Sequence, residues 1–240
     1  FFAIVVVKQL FGGLGKNFLN PALAGRAFLF AWPGQMTAFP APFDRLAWRV
    51  FSFTGKIDAI AEATPLASLK AGEVPGTSTL DLFLGRCAGS IGEISAVLLI
   101  AGGIYLICRR VITWHIPVAY IGTVALLTLI FPKGDNALAF MLSELTAGGL
   151  MLGAIFMATD YTTSPVTSAG RLIFGAGCGC VTVFIRYFGG YNEGVSFAIL
   201  MMNMLVYYID RLTAPRVFGT KRGKEKKKKP EETPKEAAGK

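Results

Sequence analysis

Five apolar stretches constrain this chain more than anything else in it. Residues 91–108, 111–131, 138–157, 170–188 and 195–209 each come close to the length that crosses a bilayer, which takes ~20 mostly apolar residues as a helix. The connectors are short: Arg109-Arg110, then 132–136, 158–169 and 189–194. Lipid offers backbone groups no hydrogen-bond partners, so such segments fold as helices that satisfy their own N–H and C=O groups. The composition agrees, with 53% hydrophobic and 16% charged residues and a mean hydropathy of +0.52, on the membrane side of the soluble average. The expected fold is an all-α polytopic membrane bundle.

Charge distribution gives the sidedness. The net charge of +9 is concentrated after the last apolar stretch, in Lys221, Arg222, Lys224 and Lys226 to Lys229. The tail holds no apolar set to bury, so it reads as a disordered basic segment on the cytoplasmic side, attracted to anionic lipid and not to nucleic acid. Counting back through five crossings puts Arg109, Arg110 and Arg171 on the same inner side, and Lys133, Asp135 and Glu193 outside. Arg186 is the exception, near an outer end. The polar segment around Thr64 then faces the non-cytoplasmic side.

The region before that segment is less regular. The chain opens on Phe1-Phe2-Ala3-Ile4-Val5-Val6-Val7, as if in mid-helix, so the expectation is that an N-terminal part is missing and that no leader or first span can be read. Gly12-Gly13-Leu14-Gly15 breaks this run. Asn20-Pro21 then opens a helix too short to span, Asn20 as N-cap and Pro21 as first helical residue. A broken helix at membrane depth survives only where it is buried in protein or lines a cavity. Gly148-Gly149 and Ser164-Pro165 followed by Gly170-Arg171 echo the Asn-Pro…Gly-Arg pattern, a hint of an internal repeat with discontinuous helices. The expected organisation is 1–32, a partial membrane region with a broken or re-entrant helix; 33–88, a non-cytoplasmic loop; 89–210, a membrane region of about five helices; and 211–240, the tail.

Motif chemistry excludes several functions. Gly12-Gly13-Leu14-Gly15-Lys16 ends in Asn17 and has Leu10 in place of the first glycine, so it is no phosphate-binding loop. Phe18 removes the third glycine of a dinucleotide fingerprint. Cys87, Cys108, Cys178 and Cys180 lack zinc or iron–sulfur spacing and read as buried free thiols. His115 stands alone in the sequence and reads as packing or a helix-end cap. Acidic residues in or near spans are costly; Glu93, Glu144 and Asp160 are therefore ion-path candidates. A structural ion pair of Glu144 with Arg186 or Arg26 is the other reading and the favoured one, and Asp160 and Asp210 fall near inner ends that water reaches. Thr64-Pro65-Leu66-Ala67 reads as N-cap, first helical residue and short helix. The same geometry suits a phosphate esterified to the Thr64 hydroxyl.

Four blocks resemble one family. Gly12 through Leu23, Asp58 through Leu66, Gly89-Ser90-Ile91-Gly92-Glu93, and Met157-Ala158-Thr159-Asp160-Tyr161-Thr162-Thr163-Ser164-Pro165 are similar to the D subunits of Rnf complexes, membrane-bound ferredoxin:NAD+ oxidoreductases, and to their sister family, the B subunits of Na+-translocating NADH:quinone reductases. Ile185-Arg186 through Gly194 fits as well. The resemblance implies an electron relay in the cell membrane. In that relay FMN is joined by a phosphoester to Thr64, in a motif matched by Asp58, Ala63 and Thr64 and departed from at Ala61 and Glu62. It also implies a second, non-covalent riboflavin near Asn17 and Asn20. Its implied partners are iron–sulfur membrane subunits, a peripheral FMN subunit and an NADH-binding subunit, with ferredoxin and NAD+ reached through them and Na+ or H+ moved outward. Quinone reduction, as in the sister family, is the first alternative. A small-solute transporter or channel without flavin, which would also show broken helices and repeats, is the second.

Overall fold

The computed structural model describes residues 1–13, 15–30, 65–72, 78–85, 95–134, 136–190 and 192–215. Asp58, Ala63, Thr64 and Glu93, with most of the 33–88 loop and the lysine tail, lie outside the described residues. Among those described there are helices and no strand. They are α1 (Phe2–Gln9, wound as a π-helix), α2 (Pro21–Leu29), α3 (Pro65–Ala71), α4 (Thr79–Leu84), α5 (Ala96–Cys108), α6 (His115–Ile130), α7 (Ala137–Thr146), α8 (Leu150–Met157), α9 (Ser168–Phe188) and α10 (Val195–Thr213). The five expected spans are therefore recognisable as helical regions, with one correction. Residues 138–157 do not form one straight helix. They break at Ala147-Gly148-Gly149 into α7 and α8, bent by 62°. Gly148 takes φ +71°, a left-handed conformation that a side chain would strain, so the helix cannot run through it.

By length and composition α9 and α10 can each cross a membrane, and the bent α7–α8 pair is a third candidate for a broken span or re-entrant loop. α5 and α6 are apolar but shorter, at 13 and 16 residues. The chain is a multi-pass membrane protein. Large apolar side chains cover its outside, among them Ile173 and Phe184 on α9 and Met204, Leu205 and Leu212 on α10.

The tightest seam is between α6 and α9. Gly175 and Gly179 lie one turn apart on α9 and let the α6 backbone approach. A Cβ on Gly175 would sit 2.8 Å from the Ile116 carbonyl oxygen and 2.9 Å from Ala119 Cβ. Close backbone approach at small residues is how helices pack where lipid supplies no hydrophobic drive. The seam is sealed by Tyr120, whose hydroxyl lies 2.6 Å from Thr182 Oγ1. The sequence reading of buried thiols holds for Cys178. It is corrected for Cys108 and Cys180, which are exposed on the outer surfaces of their helices. Gly175→Val is expected to destabilise the bundle by about 1–3 kcal/mol, the usual cost of overpacking a closed seam, against almost no effect for Gly122→Ala, where a Cβ meets nothing within 4 Å. Thermal melting of the purified protein in detergent checks this pair.

Contacts sort the connectors to two ends. At one end Val166 N donates to Asp210 Oδ1 at 3.0 Å, Thr167 and Thr213 hydroxyls lie 2.6 Å apart, and Arg171 donates to Thr113 Oγ1 at 3.3 Å. Arg109, Arg110, Arg171 and Arg211 belong here, and α10 leaves toward the basic tail. At the other end Lys70 of α3 donates to the Gly189 carbonyl at 2.7 Å, and Lys133 to that of Tyr187 at 3.1 Å. α3 thus sits at the end opposite the C-terminus of α10.

Candidate functional site

The site begins with the two short helices that stop partway. In α2 the Asn20 Oδ1 accepts from Ala22 N at 3.0 Å and Leu23 N at 3.3 Å, satisfying N–H groups that a helix start leaves free. Its Nδ2 donates to the Met157 carbonyl at 3.3 Å, at the last residue of α8. One asparagine therefore closes the start of α2 and the end of α8. A second asparagine completes the junction. Asn203, the ninth of the 19 residues of α10 and so near mid-span, turns its Nδ2 to the carbonyls of Thr163 and Ile199. Its Oδ1 accepts from Asn20 N, and all three contacts are 3.2 Å. Irregular backbone is thus satisfied at depth, as burial in lipid requires. Sequence reasoning found Asn20 and missed Asn203. The available signal was a lone buried amide in the apolar run Met201-Met202-Asn203-Met204. Asn20→Ala is expected to cost about 1–2 kcal/mol, the range for a lost N-cap, and Asn20→Asp to recover part of it, because the carboxylate still accepts from Ala22 and Leu23. The same melting measurement ranks the two.

Beside this junction lies a cleft of about 110 Å³ bordered by Lys8, Asn17, Pro21, Asp160 and Thr162. Asp160 Oδ2 accepts from the hydroxyls of Thr162 at 2.8 Å and Thr163 at 3.0 Å. Asn17 Nδ2 donates to Thr162 Oγ1 at 3.3 Å and to the Leu19 carbonyl at 3.1 Å. The fold therefore brings together Asn17, Asn20 and Asp160, drawn from two sequence blocks nearly 140 residues apart. The cleft has room for water or a small ion. Organic-ligand pockets usually run to about 300–1,000 Å³, and the Asn20 amide is already committed at both atoms.

Glu144 stands elsewhere, at the end away from the tail. Its carboxylate pairs with Arg186 at 2.5 Å, both side chains almost fully buried. Arg186 also donates to the carbonyls of Glu144 at 2.7 Å, Ala147 at 3.4 Å and Glu193 at 3.2 Å. Its charge therefore lies at the carbonyl end of α7, where a cation is favoured. This accounts for Arg186 as the exception to the loop-charge pattern: it is an internal, paired cation and not a loop charge. Arg26 pairs instead with Glu193, at 2.9 Å. His115 opens α6 with its ring 4.2 Å from that of Trp114.

Thr64 is followed at once by α3, which begins at Pro65. Leu66 and Leu69 of α3 are buried against Phe140, Ala147 and Tyr187. The helix that follows residue 64 in the sequence is thus anchored on the bundle. Among the described residues no group of three His, Cys, Asp or Glu side chains could hold a metal.

Comparison with known proteins supplies the family. Residues 1–219 match the profile of the NQR2, RnfD, RnfE family. The D subunit of the Na+-translocating ferredoxin:NAD+ oxidoreductase complex of Acetobacterium woodii is 48% identical over 95% of this chain and 67% of its own length. The D subunit of the proton-translocating ferredoxin:NAD+ oxidoreductase complex of Clostridium ljungdahlii is 44% identical over 92% and 67%. The D subunit of the ion-translocating oxidoreductase complex of Stutzerimonas stutzeri is 41% identical over 91% and 68%. The chain spans about two thirds of the length of each of these relatives. A profile match along almost the whole bundle, joined to relatives of this identity, means that the chain belongs to the NQR2, RnfD, RnfE family.

Proposed function

We propose that this chain is the D subunit of an ion-translocating ferredoxin:NAD+ oxidoreductase in the cell membrane, carrying FMN as a phosphoester on Thr64. The reading is supported by the relatives, which are named as subunits of such complexes. The observation that carries it is the position of α3. The helix begun by Pro65, directly after Thr64, is anchored beside Gly189 and Lys133, away from the basic tail. With the tail cytoplasmic, the flavin faces the other side, where a peripheral flavoprotein of the complex can reach it. When bound, FMN supplies one- and two-electron chemistry. The protein supplies attachment, local charge and distance to neighbouring centres. Iron–sulfur subunits and an NADH-binding subunit complete the path from ferredoxin to NAD+.

Of the acidic ion-path candidates, Asp160 is the one that borders open space among the described residues, whereas Glu144 is held by Arg186. The Asp160 cleft therefore supports an ion route through this subunit, and Glu93 lies outside the described residues. Relatives at 48% and 44% identity are named for different ions, so overall likeness does not decide between Na+ and H+.

The test is the mass of the tryptic peptide containing Thr64, from chain made in a host that assembles the complex. The expected result is a peptide heavier by one esterified FMN, and ultraviolet fluorescence of the band on a denaturing gel. A dark band of unmodified mass sinks the flavin reading and leaves the transporter alternative. NAD+ against quinone reduction by the purified complex separates the two oxidoreductase readings.

A further inference from the structure

Two short helices run in opposite directions along α10 and are held at both ends. At the junction end, Asn20 joins the start of α2 to the last carbonyl of α8. At the other end, Glu193 does the corresponding work. Its Oε2 accepts from Arg26, in the last turn of α2, at 2.9 Å. Its Oε1 accepts from Gly149 N, directly before α8, at 3.1 Å. One carboxylate thus serves the closing turn of one half-helix and the opening N–H of the other, where a negative charge is favoured. Arg186 Nε donates to the Glu193 carbonyl and fixes the backbone that carries it.

α3 rests on this same support. A Cβ on Gly148 would lie 3.2 Å from Leu66 Cδ2, 3.6 Å from Arg186 Nη2 and 3.9 Å from Glu193 Cγ. The helix that follows Thr64 and the two charged residues therefore converge on one turn. At the far termini of the same two helices lies the cleft: Pro21 borders it from α2, and Asp160 comes three residues after the end of α8. Rods of two turns transmit a displacement of one end to the other.

We propose that Glu193 is a positioning residue for two places at once: it pins the ends of α2 and α8 beneath the helix that follows Thr64, and thereby sets the opening of the Asp160 cleft at their other ends. The proposal rests on the function above only for what α3 carries.

The test places a cysteine at Lys8, which borders the cleft, in the assembled complex in native membranes. Alkylation by a water-soluble maleimide is read peptide by peptide, so that the buried Cys178 in the α6–α9 seam reports general loosening in the same molecules. Glu193→Ala is expected to speed labelling of K8C by at least about fivefold, the lower end of ordinary coupling between sites, with Cys178 still protected. Glu193→Gln keeps an acceptor for Gly149 N–H and should give a smaller rise; Arg26→Met releases one helix alone and should do the same. An unchanged K8C rate in Glu193→Ala overturns the proposal. So does a parallel rise at Cys178, or a Glu193→Gln effect as large as that of alanine. Should Glu193→Ala fail to accumulate, the Gln and Met variants decide, since no rise in either is equally fatal. Gel fluorescence of the unsubstituted chain is recorded alongside. A dark band there removes the flavin and leaves the labelling result untouched.

Discussion

Thr64→Ala is expected to give a chain that still inserts and still joins its complex, but carries no covalent flavin and passes no electrons. The hydroxyl is the only atom the phosphoester needs from the side chain, and alanine removes it while leaving Pro65 to open α3. Nothing described in the anchor of α3 depends on residue 64: Leu66 and Leu69 remain buried, and Lys70 keeps its bond to the Gly189 carbonyl. The loss of an N-cap oxygen costs about 1 kcal/mol, too little to unfold a bundle held by α6, α9 and α10. The activity falls to background because the carrier, not the protein, does the redox chemistry. Thr64→Ser separates the roles further. It restores a hydroxyl in nearly the same place, so any flavin it acquires should restore transfer in proportion to loading. Loading is read from gel fluorescence, and transfer from NAD+ reduction with reduced ferredoxin. Fluorescence persisting in the alanine variant would place the attachment on another residue.

The parts of this arrangement that were legible in the sequence are the local ones. Asn20-Pro21 announces its helix because a cap bonds N–H groups only two and three residues ahead, and the structure has those bonds at Ala22 and Leu23. The spans were legible because lipid imposes length and apolarity on each segment separately. The break between α7 and α8 was legible only as the pair Gly148-Gly149 and not in hydropathy, since Ala147-Gly148-Gly149-Leu150 stays apolar while the backbone turns. What could not be read is the pairing across distance. Glu144 had two cations open to it. The choice of Arg186 depends on how α7 lies against the last turn of α9, 42 residues away. Glu193 looked like an ordinary outer-loop charge, and its hold on Gly149 and Arg26 exists only once three segments meet. Asn203 stood out only as an amide in an apolar run, with no local sign of its role, because its partners Asn20 and Thr163 are 183 and 40 residues distant in the chain. A membrane bundle thus shows its spans and caps in the sequence, whereas its internal ion pairs emerge from the packing.

The largest effect on stability is expected at Arg186. Its guanidinium is 2% exposed and meets four acceptors: the Glu144 carboxylate and the carbonyls of Glu144, Ala147 and Glu193. Arg186→Met removes the charge and all four bonds while keeping much of the volume. It leaves Glu144, 2% exposed, without its cation. Stripping the arginine from this buried pair costs about 3–5 kcal/mol, here chiefly because three backbone carbonyls lose their donor, at about 1–3 kcal/mol for each that stays unsatisfied. For a chain of this length that corresponds to a fall in melting temperature of roughly 6–20 °C. Glu144→Gln should cost much less. The arginine retains its three carbonyl acceptors, and the amide oxygen still accepts from Nη1. The order of the variants therefore tests whether Arg186 acts mainly as a counter-charge or mainly as a brace for the α7–α8 break. If the counter-charge dominates, Glu144→Gln combined with Arg186→Met recovers most of the loss, since no charge is left unpaired. If the brace dominates, the double variant stays close to Arg186→Met alone. The bonds to Glu144, Ala147 and Glu193 carbonyls all lie where α7 stops and α10 is about to start, and no glutamine can replace them. The expected result is the second: a double variant within about 1 kcal/mol of the single one, the size of an ordinary hydrogen-bond difference. Melting of the four proteins in one detergent gives the double-mutant cycle directly.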